Sequence, residues 1–565
     1  MGRIFVNMVR KRAASSVRQE DPDPTMPNSP LQDWPRLTYW QALVRAAEAW
    51  PDAEAIVVGD RRVSLAALHD QALGFAANLH RLGLRRGDHI AICMGNGVEW
   101  AALLFGATAL GAVVVPVNTR LRPPEIAYAL RQSDAAFLVI DDRLLKVDFI
   151  AMLRGIVPEI DASLPAADFP RLRRIVVRGT DVPAAALAFA ELTHAPDPAF
   201  DPQALGVGPD DVALIQYTSG TTSAPKGAML SHDGMLRDAW HVGQRMGLCA
   251  GDRYLSQRPL FHVAGITLSL LAAVTAGAAY ITTPTFDAAE ALRLMQAERA
   301  THVAGNDTMF LMMLAEPRPA DEAIRLRAGW AAATEAVMRK AQARFGLPGL
   351  CSAYGQSEAS PNVSMGPFDD EEGPRLAGFA HPLPGVEVRI VDGATGAACP
   401  PGALGEILVR GWNLMKGYYA MAEQTARAID GAGWLHTGDL GVMDQAGRLR
   451  FAGRAKELIR VGGENVAPAE VEDVLHTHPA VAQAQVVGVP EPRLMEVPAA
   501  YVVLRGGATA TPDELIAWCR ERLAGFRVPR HVRIVDGFEH IGMTGSAKVQ
   551  KSKLRAFAIG DLGLG

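Results

Sequence analysis

The chain has 565 residues, which is too many for one compact core, so we expect two or more domains. Hydrophobic residues make up 49% and charged residues 21%, close to the average of globular proteins, so large buried cores are feasible. The net charge of −5 is small and gives no reason to expect a nucleic-acid partner, which would usually leave a strongly basic face. An acidic small molecule is still a possible ligand, because one binding site can carry positive charge although the net charge of the chain is negative.

The first 36 residues are expected to be a disordered leader. They begin basic, become rich in Pro, Asp and Ser, and lack the continuous apolar core of a signal peptide. An over-long start upstream of Met26 is the alternative. Without an export signal, a cytoplasmic location is the default expectation.

From Tyr39 onward, helical and strand-like patterns alternate. The predicted elements are, in chain order, a helix over Tyr39–Ala49, a strand over Ala55–Val58, a helix over Leu65–Leu82, a strand over Ile90–Met94, a helix over Val98–Leu110 and a strand over Ala112–Val117. Such alternation predicts parallel sheets covered by helices. We therefore expect an α/β fold in which residues 37–453 form a large N-terminal domain of two layered sheets flanked by helices.

Residues 454–565 show a different pattern. The predicted elements are a helix over Ala469–Thr477, strands over Val481–Val489 and Ala499–Leu504, a helix over Pro512–Leu523 and a strand over Val532–Val535. They predict a small α+β C-terminal domain of the usual domain size, with the boundary near Gly453.

Two uncharged stretches were compared with membrane spans. Ala101–Val117 contains Gly and Pro, and Val263–Ile281 contains several hydroxyl residues and has no basic flank, although its length is near the roughly 20 residues that cross a bilayer. A buried helix that runs into a buried strand explains the second stretch better. No stable membrane insertion is expected.

The five cysteines are far apart, and no pair has the spacing of a zinc or redox motif. They are interpreted as small buried hydrophobic residues, which fits a reducing cytosol. Their positions are Cys93, Cys249, Cys351, Cys399 and Cys519.

The segment 217–227, YTSGTTSAPKG, follows an apolar strand and predicts a phosphate-binding loop. Its glycines allow the backbone to approach a ligand, and backbone N–H groups in such loops form anion-binding nests. It is not the GxxxxGK[ST] loop, because its lysine is followed by glycine. The candidate ligand-binding residues are Thr218, Ser219, Gly220, Thr221, Thr222 and Lys226.

This segment resembles the signature loop of the adenylate-forming superfamily, which includes acyl-CoA synthetases, adenylation domains of peptide synthetases and beetle luciferases. The usual pattern is [YF]-T-S-G-T-T-G-x-P-K-G, and the chain departs from it at Ser223, where Gly is usual. The resemblance implies ATP, Mg²⁺ and coenzyme A as cofactors. It covers residues 37–555, with the motifs in the family's order.

The string YGQSE that begins at Tyr354 is similar to the family's Y-G-x-T-E motif, with Ser357 in the Thr place. The resemblance implies that Tyr354 stacks on adenine, that Gln356 and Ser357 lie at the nucleotide, and that Glu358 binds Mg²⁺ together with Thr221. The chemistry is suitable, because a hard cation prefers oxygen ligands.

The string WLHTGD that ends at Asp439 is similar to the family's W-x-x-T-G-D. The resemblance implies that Asp439 accepts hydrogen bonds from both ribose hydroxyls, which a carboxylate can do. Arg454 is the second ribose contact by the same resemblance. Lys456 occupies the place of the hinge on which the small domain moves.

Two further residues complete the implied site. Gly463 lies in VGGENVAPAE, which resembles the small-domain segment that enters the active site for the second half-reaction. Lys548 ends MTGSAK, which is similar to the P-x-T-x-x-G-K loop whose lysine bridges the carboxylate and the α-phosphate. Gly542 and Ala547 depart from that pattern, in which Pro and Gly are common.

The sequence says less about which carboxylic acid is the substrate. His262, in PLFHVAG, resembles the residue that gates the substrate carboxylate, with a buried structural histidine as the alternative. At Gly329 and Trp330 the chain departs from the family's G-G-A-P, so Trp330 either shortens the acyl pocket, favouring a compact or aromatic acid, or points into the core. Arg258 is expected to be a surface arginine, with a contact to a second substrate carboxylate as the alternative.

The sequence therefore predicts an ATP-dependent carboxylic acid:CoA ligase that forms an acyl adenylate and then a thioester. Two alternatives stay open. One is a stand-alone adenylation enzyme that loads a carrier protein, and the other is a non-catalytic nucleotide-binding relative. The expected partner is a small-molecule carboxylic acid, and a homodimer is left open.

Overall fold

The computed structural model describes residues 35–218, 225–317, 324–462, 464–543 and 549–564. Several predicted features lie outside the described residues. They are the leader up to residue 34, the loop residues Ser219, Gly220, Thr221 and Thr222, and the residues Gly463 and Lys548.

A seven-stranded sheet forms one layer of the large domain. Its strands are parallel except at one edge, where Lys226–Ser231 pairs antiparallel with Val212–Thr218. In order across the sheet they are Lys226–Ser231, Val212–Thr218, Val113–Pro116, His89–Cys93, Ala135–Asp141, Arg174–Arg178 and Leu187–Ala188.

An eight-stranded sheet forms the second layer. It is parallel in its centre and ends in an antiparallel strand at each edge. In order its strands are Asn362–Met365, Gly349–Gly355, Ala328–Ala332, His302–Asn306, Arg253–Leu255, Ala279–Thr282, Glu54–Val58 and Arg61–Ser64.

Helices cover both sheets, and one buried apolar cluster contains residues of both, such as Ile90 and Tyr280. Nearly every residue of Val98–Ala109 is buried, which explains its uncharged sequence. The helices are Tyr39–Ala49, Leu65–Arg81, Val98–Ala109, Pro123–Gln132, Phe149–Ile156, His232–Met246, Val263–Gly265 continued by Ile266–Leu271 and Ala272–Ala276, Ala288–Ala297, Asp307–Ala315, Glu335–Phe345, Glu372–Leu376, Ala422–Ala428, Pro468–Thr477, Pro512–Arg520 and Lys551–Asp561.

The two predicted layered sheets are confirmed, and the large domain also has a four-stranded antiparallel sheet that was not predicted. Its strands are Val386–Val391, Gly405–Gly411, Leu435–Met443 and Leu449–Arg454. The alternation of apolar and charged residues in Val386–Val391 is the period-2 signal of a half-buried strand, and the prediction did not use it.

The smaller C-terminal domain is α+β, as predicted. Its five-stranded sheet contains Glu464–Val466, Ile459–Val461, Met495–Leu504, Val481–Glu491 and His531–Ile534. The helices Pro468–Thr477 and Pro512–Arg520 bury their apolar residues in the same cluster as this sheet. The boundary at residue 453 stays a prediction.

The two domains contact each other through a pair of helices. The carboxylate of Asp473 accepts a hydrogen bond of 2.9 Å from the backbone N–H of Ala336, in the first turn of the helix Glu335–Phe345. The ammonium of Lys340 donates to the carbonyl of His476. Desolvation raises the pKa of Asp473, because this side chain is largely enclosed at the contact.

The cysteines are all free. Cys93, Cys351 and Cys519 are buried as expected, whereas Cys249 and Cys399 are only partly buried, so the expectation is wrong for these two. Within the described ranges, the structure has no helix with both the length and the apolar character needed to cross a membrane.

Gly329 has no room for a side chain, because a Cβ atom there would lie 2.2 Å from the carbonyl oxygen of Val303 on the adjacent strand. We expect Gly329→Ala to lower the free energy of unfolding of the large domain by about 1–3 kcal/mol, as overpacking does. A urea titration measures it. Gly431→Ala is the matched control, since a Cβ there meets no atom within 4 Å. Equal stability of the two variants would contradict this description of the strand pair.

Candidate active site

The predicted site residues gather where strands of different sheets end. Thr218 ends a strand of the seven-stranded sheet, and Gly355 ends a strand of the eight-stranded sheet immediately before Gln356. In α/β sheets, ligands bind outside the carboxyl ends of the strands. The described part of the predicted site has this position.

Lys226 begins the strand that returns from the predicted phosphate loop. Thr218 and Lys226 are direct partners across this hairpin, and the Thr218 hydroxyl donates to the Lys226 carbonyl at 3.4 Å. The Lys226 ammonium lies 4.6 Å from the ring centroid of Tyr418, within the range of a cation–π contact. The hairpin therefore fixes both described ends of the loop and directs the lysine onto an aromatic ring.

Glu358 is held by the same tyrosine. Its side chain is 9% exposed, and one carboxylate oxygen accepts a hydrogen bond of 2.8 Å from the Tyr418 hydroxyl. Burial, and then the nearby carboxylate, raise the pKa of Tyr418, so its hydroxyl stays protonated and keeps donating. Tyr418 thus contacts both Lys226 and Glu358, which are 132 residues apart in the sequence.

The carboxylate of Glu358 is chemically suitable for Mg²⁺, which prefers oxygen ligands and usually takes only one or two carboxylates from the protein. Among the residues that the structure describes, no group of three or more His, Cys, Asp or Glu side chains could hold a metal ion. One carboxylate beside the predicted phosphate loop fits a cation that is held mainly by phosphate oxygens.

Asp439 and Tyr354 form a second cluster. The Tyr354 hydroxyl donates to one carboxylate oxygen of Asp439 at 3.0 Å, and the guanidinium of Arg454 lies 3.5 Å from the other. Burial, and then the Asp439 charge, raise the pKa of Tyr354. The backbone N–H of Asp439 donates to the Thr437 hydroxyl at 3.0 Å, which fixes the part of the strand Leu435–Met443 that presents the carboxylate.

One face of the Tyr354 ring is covered by Phe451, with a centroid distance of 5.3 Å and an angle of 16° between the rings. A planar ligand could therefore stack only on the opposite face. Gln356 and Ser357 connect this cluster to Glu358. The side-chain nitrogen of Gln356 is buried and has no hydrogen-bond partner among the described residues.

Lys456 lies near both clusters. Desolvation lowers the pKa of its ammonium, and the charge of Arg454 lowers it further, with a smaller effect from Lys226. Glu457 and Asp439 act in the opposite direction. The predicted hinge residue is thus within electrostatic range of the predicted phosphate loop.

His262 precedes a helix that packs on the eight-stranded sheet. Its Nδ1 accepts a hydrogen bond of 3.2 Å from the backbone N–H of Ala264, which caps the helix. The side-chain amide of Gln216 donates to the carbonyl of Phe261 at 3.2 Å and so joins the His262 turn to the strand that leads into the predicted phosphate loop.

Trp330 is 2% exposed, and its indole N–H donates to the Tyr254 hydroxyl at 2.7 Å. Arg258 is 5% exposed, and its guanidinium lies 5.0 Å from the centroid of the Trp330 ring. The expectation of a surface arginine is therefore wrong. The side-chain amide of Asn96, which is also buried, donates to the backbone carbonyl of Arg258 at 3.0 Å.

Tyr418 is the site residue that the sequence reasoning missed. It lies 192 residues after Lys226 and 60 residues after Glu358, so local spacing gives no hint of the contact. One sequence feature could have indicated it. Two consecutive tyrosines follow Gly417, in a segment to which the prediction gave no role.

The comparisons with known proteins agree on one family. Residues 43–419 match the family model described as AMP-binding enzyme, and residues 470–548 match that of the AMP-binding enzyme C-terminal domain. A feruloyl-CoA synthase of an Amycolatopsis species is 35% identical over 534 residues, covering 94% of this chain and 99% of the relative. The medium-chain acyl-CoA ligase ACSF2 of Danio rerio is 33% identical over 553 residues, covering 95% and 90%.

A solved structure is similar over the same length. The anthranilate CoA ligase AuaEII in complex with anthranoyl-AMP superimposes with a TM-score of 0.84 at 25% identity, and the match covers 94% of this chain and 99% of that chain. The match therefore includes both the large domain and the smaller C-terminal domain of this chain.

Tyr418→Phe removes the hydroxyl that fixes Glu358 but keeps the ring beneath Lys226. We expect the Kd for Mg·ATP to rise about tenfold, since a hydrogen bond to a charged group contributes about 1.5–3 kcal/mol. Calorimetric titration with a non-hydrolysable ATP analogue and Mg²⁺ measures the change. Tyr419→Phe is the matched control, because that hydroxyl donates to Asp134 near the surface. The same loss in both variants would argue against a specific role of Tyr418.

Proposed function

Because the chain belongs to the AMP-binding enzyme family and is an AMP-forming acid–CoA ligase, we propose that it works in two half-reactions at one site. The first joins a carboxylic acid to AMP, and the second transfers the acyl group to coenzyme A. The observation that carries the proposal is the convergence of Lys226 and Glu358 on Tyr418 beside the cluster of Tyr354 and Asp439.

In the first half-reaction, a carboxylate oxygen of the acid attacks the α-phosphorus of ATP. The bond to the bridging oxygen breaks, and pyrophosphate leaves. Such transfers depend on positioning and on neutralising the phosphate charge. Lys226 and Lys548 would supply positive charge, and bound Mg²⁺ would supply more. Glu358 and Thr221 would hold that ion.

The nucleoside would be bound by the second cluster. Asp439 presents a buried carboxylate that is already oriented by Tyr354 and Thr437, so it would accept from the ribose hydroxyls without reorganisation. Arg454 lies beside that carboxylate and would be the second ribose contact. The face of Tyr354 opposite Phe451 would stack on adenine.

In the second half-reaction, the coenzyme A thiolate attacks the acyl carbon, the thioester forms and AMP leaves with the oxygen. We propose that the small domain turns about Lys456 between the two steps, which withdraws Lys548 and brings Gly463 to the site. Hinge motion about a few residues is a common way to assemble two arrangements from one scaffold. A glycine at residue 463 would let the thiol arm pass close to the backbone.

A compact acid is the proposed substrate class. Trp330 fills the sheet face beside the helix that His262 begins, and its ring is fixed by Tyr254. This bulk supports a short acyl pocket. A feruloyl-CoA synthase and an anthranilate CoA ligase among the similar proteins are consistent with it.

The first test uses Lys548→Ala with a panel of short, aromatic and long-chain acids. We expect ATP–pyrophosphate exchange to slow by about 100-fold or more, because a charge that stabilises the transition state is lost. Lys553→Ala is the matched control, since that lysine is exposed and follows Lys548 by five residues in the sequence. Exchange at the wild-type rate in Lys548→Ala would disprove the assigned role. Exchange without thioester in the wild type would favour a carrier-loading enzyme, and no exchange with any acid would favour a non-catalytic relative.

The second test separates the half-reactions. In Gly463→Leu, we expect thioester formation to slow at least about tenfold while pyrophosphate exchange continues, because the side chain obstructs the thiol arm. Single-turnover measurement of acyl-CoA from preformed adenylate gives the rate. Gly506→Leu controls for a bulky residue elsewhere in the small domain, since a Cβ there meets no atom within 4 Å. An equal loss in both half-reactions of Gly463→Leu would contradict the proposed division of labour.

A further inference from the structure

Arg258 is a buried cation that forms no ion pair with any residue in the part of the chain that the structure describes. Its side chain is 5% exposed, and the Nε and Nη1 atoms are buried without a hydrogen-bond partner among the described residues. The charged or polar groups that affect its protonation most are the hydroxyls of Tyr254 and Tyr280, not a carboxylate. Leaving a buried guanidinium unpaired is costly, so such a group calls for an explanation.

Another buried arginine of the same sheet region shows how the fold satisfies a structural guanidinium. Arg375 is 3% exposed and donates to the carbonyls of Leu350 at 2.6 Å and Pro348 at 2.8 Å. Within the described ranges, no carbonyl accepts a hydrogen bond from the Nε or Nη1 atom of Arg258. Packing alone therefore does not account for its position.

The position of Arg258 is set by the strand Arg253–Leu255 and the turn that follows. Tyr254 and Ser256 lie on the face that the helix covers, since Tyr254 donates to the carbonyl of Leu268 at 2.8 Å and Ser256 bonds to Ser269 at 2.8 Å. Arg258 continues this alternation and stacks over Trp330 on the same face. The guanidinium thus lies between the sheet and the helix that begins at His262.

The helix opposite Arg258 is also irregular. Ile266–Leu271 is a π-helical segment, a feature that often marks a functional site. The hydroxyl of Thr267 in this segment is buried and has no hydrogen-bond partner in the described part of the chain. The layer between helix and sheet therefore contains unsatisfied donors in addition to the guanidinium.

The guanidinium is charged at neutral pH. Burial lowers the pKa of Arg258 to about 10, which leaves the cation almost fully protonated near pH 7. Burial raises the pKa values of Tyr254 and Tyr280, so these phenols are neutral and cannot balance the charge. A carboxylate entering from the substrate would balance it and would take two N–H donors at once.

We propose that Arg258 binds a second carboxylate of the substrate, so that the enzyme prefers a compact dicarboxylic acid to the matched monocarboxylic acid. One carboxylate would react at the His262 end of the pocket, and the other would meet the guanidinium above Trp330. The inference rests on the proposed function, because it assigns the acid of that same reaction. The alternative is that the stacking of Arg258 on Trp330 is structural only.

The experiment compares acids of equal carbon number that carry one or two carboxylates, such as butanoate with succinate, hexanoate with adipate and 2-methylbenzoate with phthalate. ATP–pyrophosphate exchange gives kcat/KM for each acid. We expect the wild type to favour at least one dicarboxylic acid over its partner, and Arg258→Met to lower that ratio about 100-fold, mainly through KM, as removal of one member of a buried charge pair does. Arg375→Met is the matched control for loss of a buried arginine and should keep the ratio.

Arg258→Lys guards against a variant that fails to fold, because it keeps the charge but not the two parallel donors. We expect this variant to raise KM for the dicarboxylic acid with little change in kcat. A preference of the wild type for monocarboxylic acids in every pair, or an unchanged ratio in Arg258→Met or Arg258→Lys, would overturn the inference and leave the proposed function intact. Exchange with none of the acids would instead refute the proposed function.

Discussion

Tyr418 contacts three parts of the large domain, which are the strand Lys226–Ser231, the Lys226 side chain at the predicted phosphate loop and Glu358. Its backbone segment is fixed on both sides of the ring, since Gly417 accepts from the Met229 N–H at 2.9 Å and the Tyr419 N–H donates to Gly227 at 2.8 Å. The ring lies beneath the ammonium of Lys226, and the hydroxyl binds the carboxylate of Glu358, which lies in the connection between two strands of the eight-stranded sheet. The separation of one cation and one anion is therefore set by a rigid aromatic side chain. The proposed binding of the ATP triphosphate and of Mg²⁺ depends on the distance between the Lys226 ammonium and the Glu358 carboxylate.

The sequence predicted the elements well where local signals and burial agree. The helix Tyr39–Ala49 was predicted to the residue, because Thr38 caps its first turn and the apolar residues follow the helical period. Strand ends differ from the prediction by up to four residues, and the largest difference is the start of Met495–Leu504, where hydrogen bonding continues beyond the apolar run. The four-stranded sheet was missed because its strands are only half buried, and the prediction relied on continuous apolar runs.

The candidate site was predictable to the extent that its residues lie in short motifs. Tyr354 and Asp439 were found in separate strings, and the structure places them in direct contact. Tyr418 was not found, because its partners are distant in the sequence. Arg258 was placed on the surface because unpaired charges are seldom buried. That rule fails most often at functional sites, where a ligand completes what the chain leaves unsatisfied.

The contact between the domains has one further consequence. The carboxylate of Asp473 accepts from the first turn of the helix Glu335–Phe345, so the small domain supplies an N-terminal cap to a helix of the large one. Any turn of the small domain that separates these helices leaves this end uncapped, at a cost of about 1 kcal/mol. A contact of that strength favours one orientation of the small domain without preventing the other, because it changes the ratio of the two orientations by only about fivefold. Because burial at this contact raises the pKa of Asp473, the contacting orientation binds a proton more readily than the separated one, and acid therefore favours the contact, in which the protonated carboxyl group still offers its carbonyl oxygen as an acceptor.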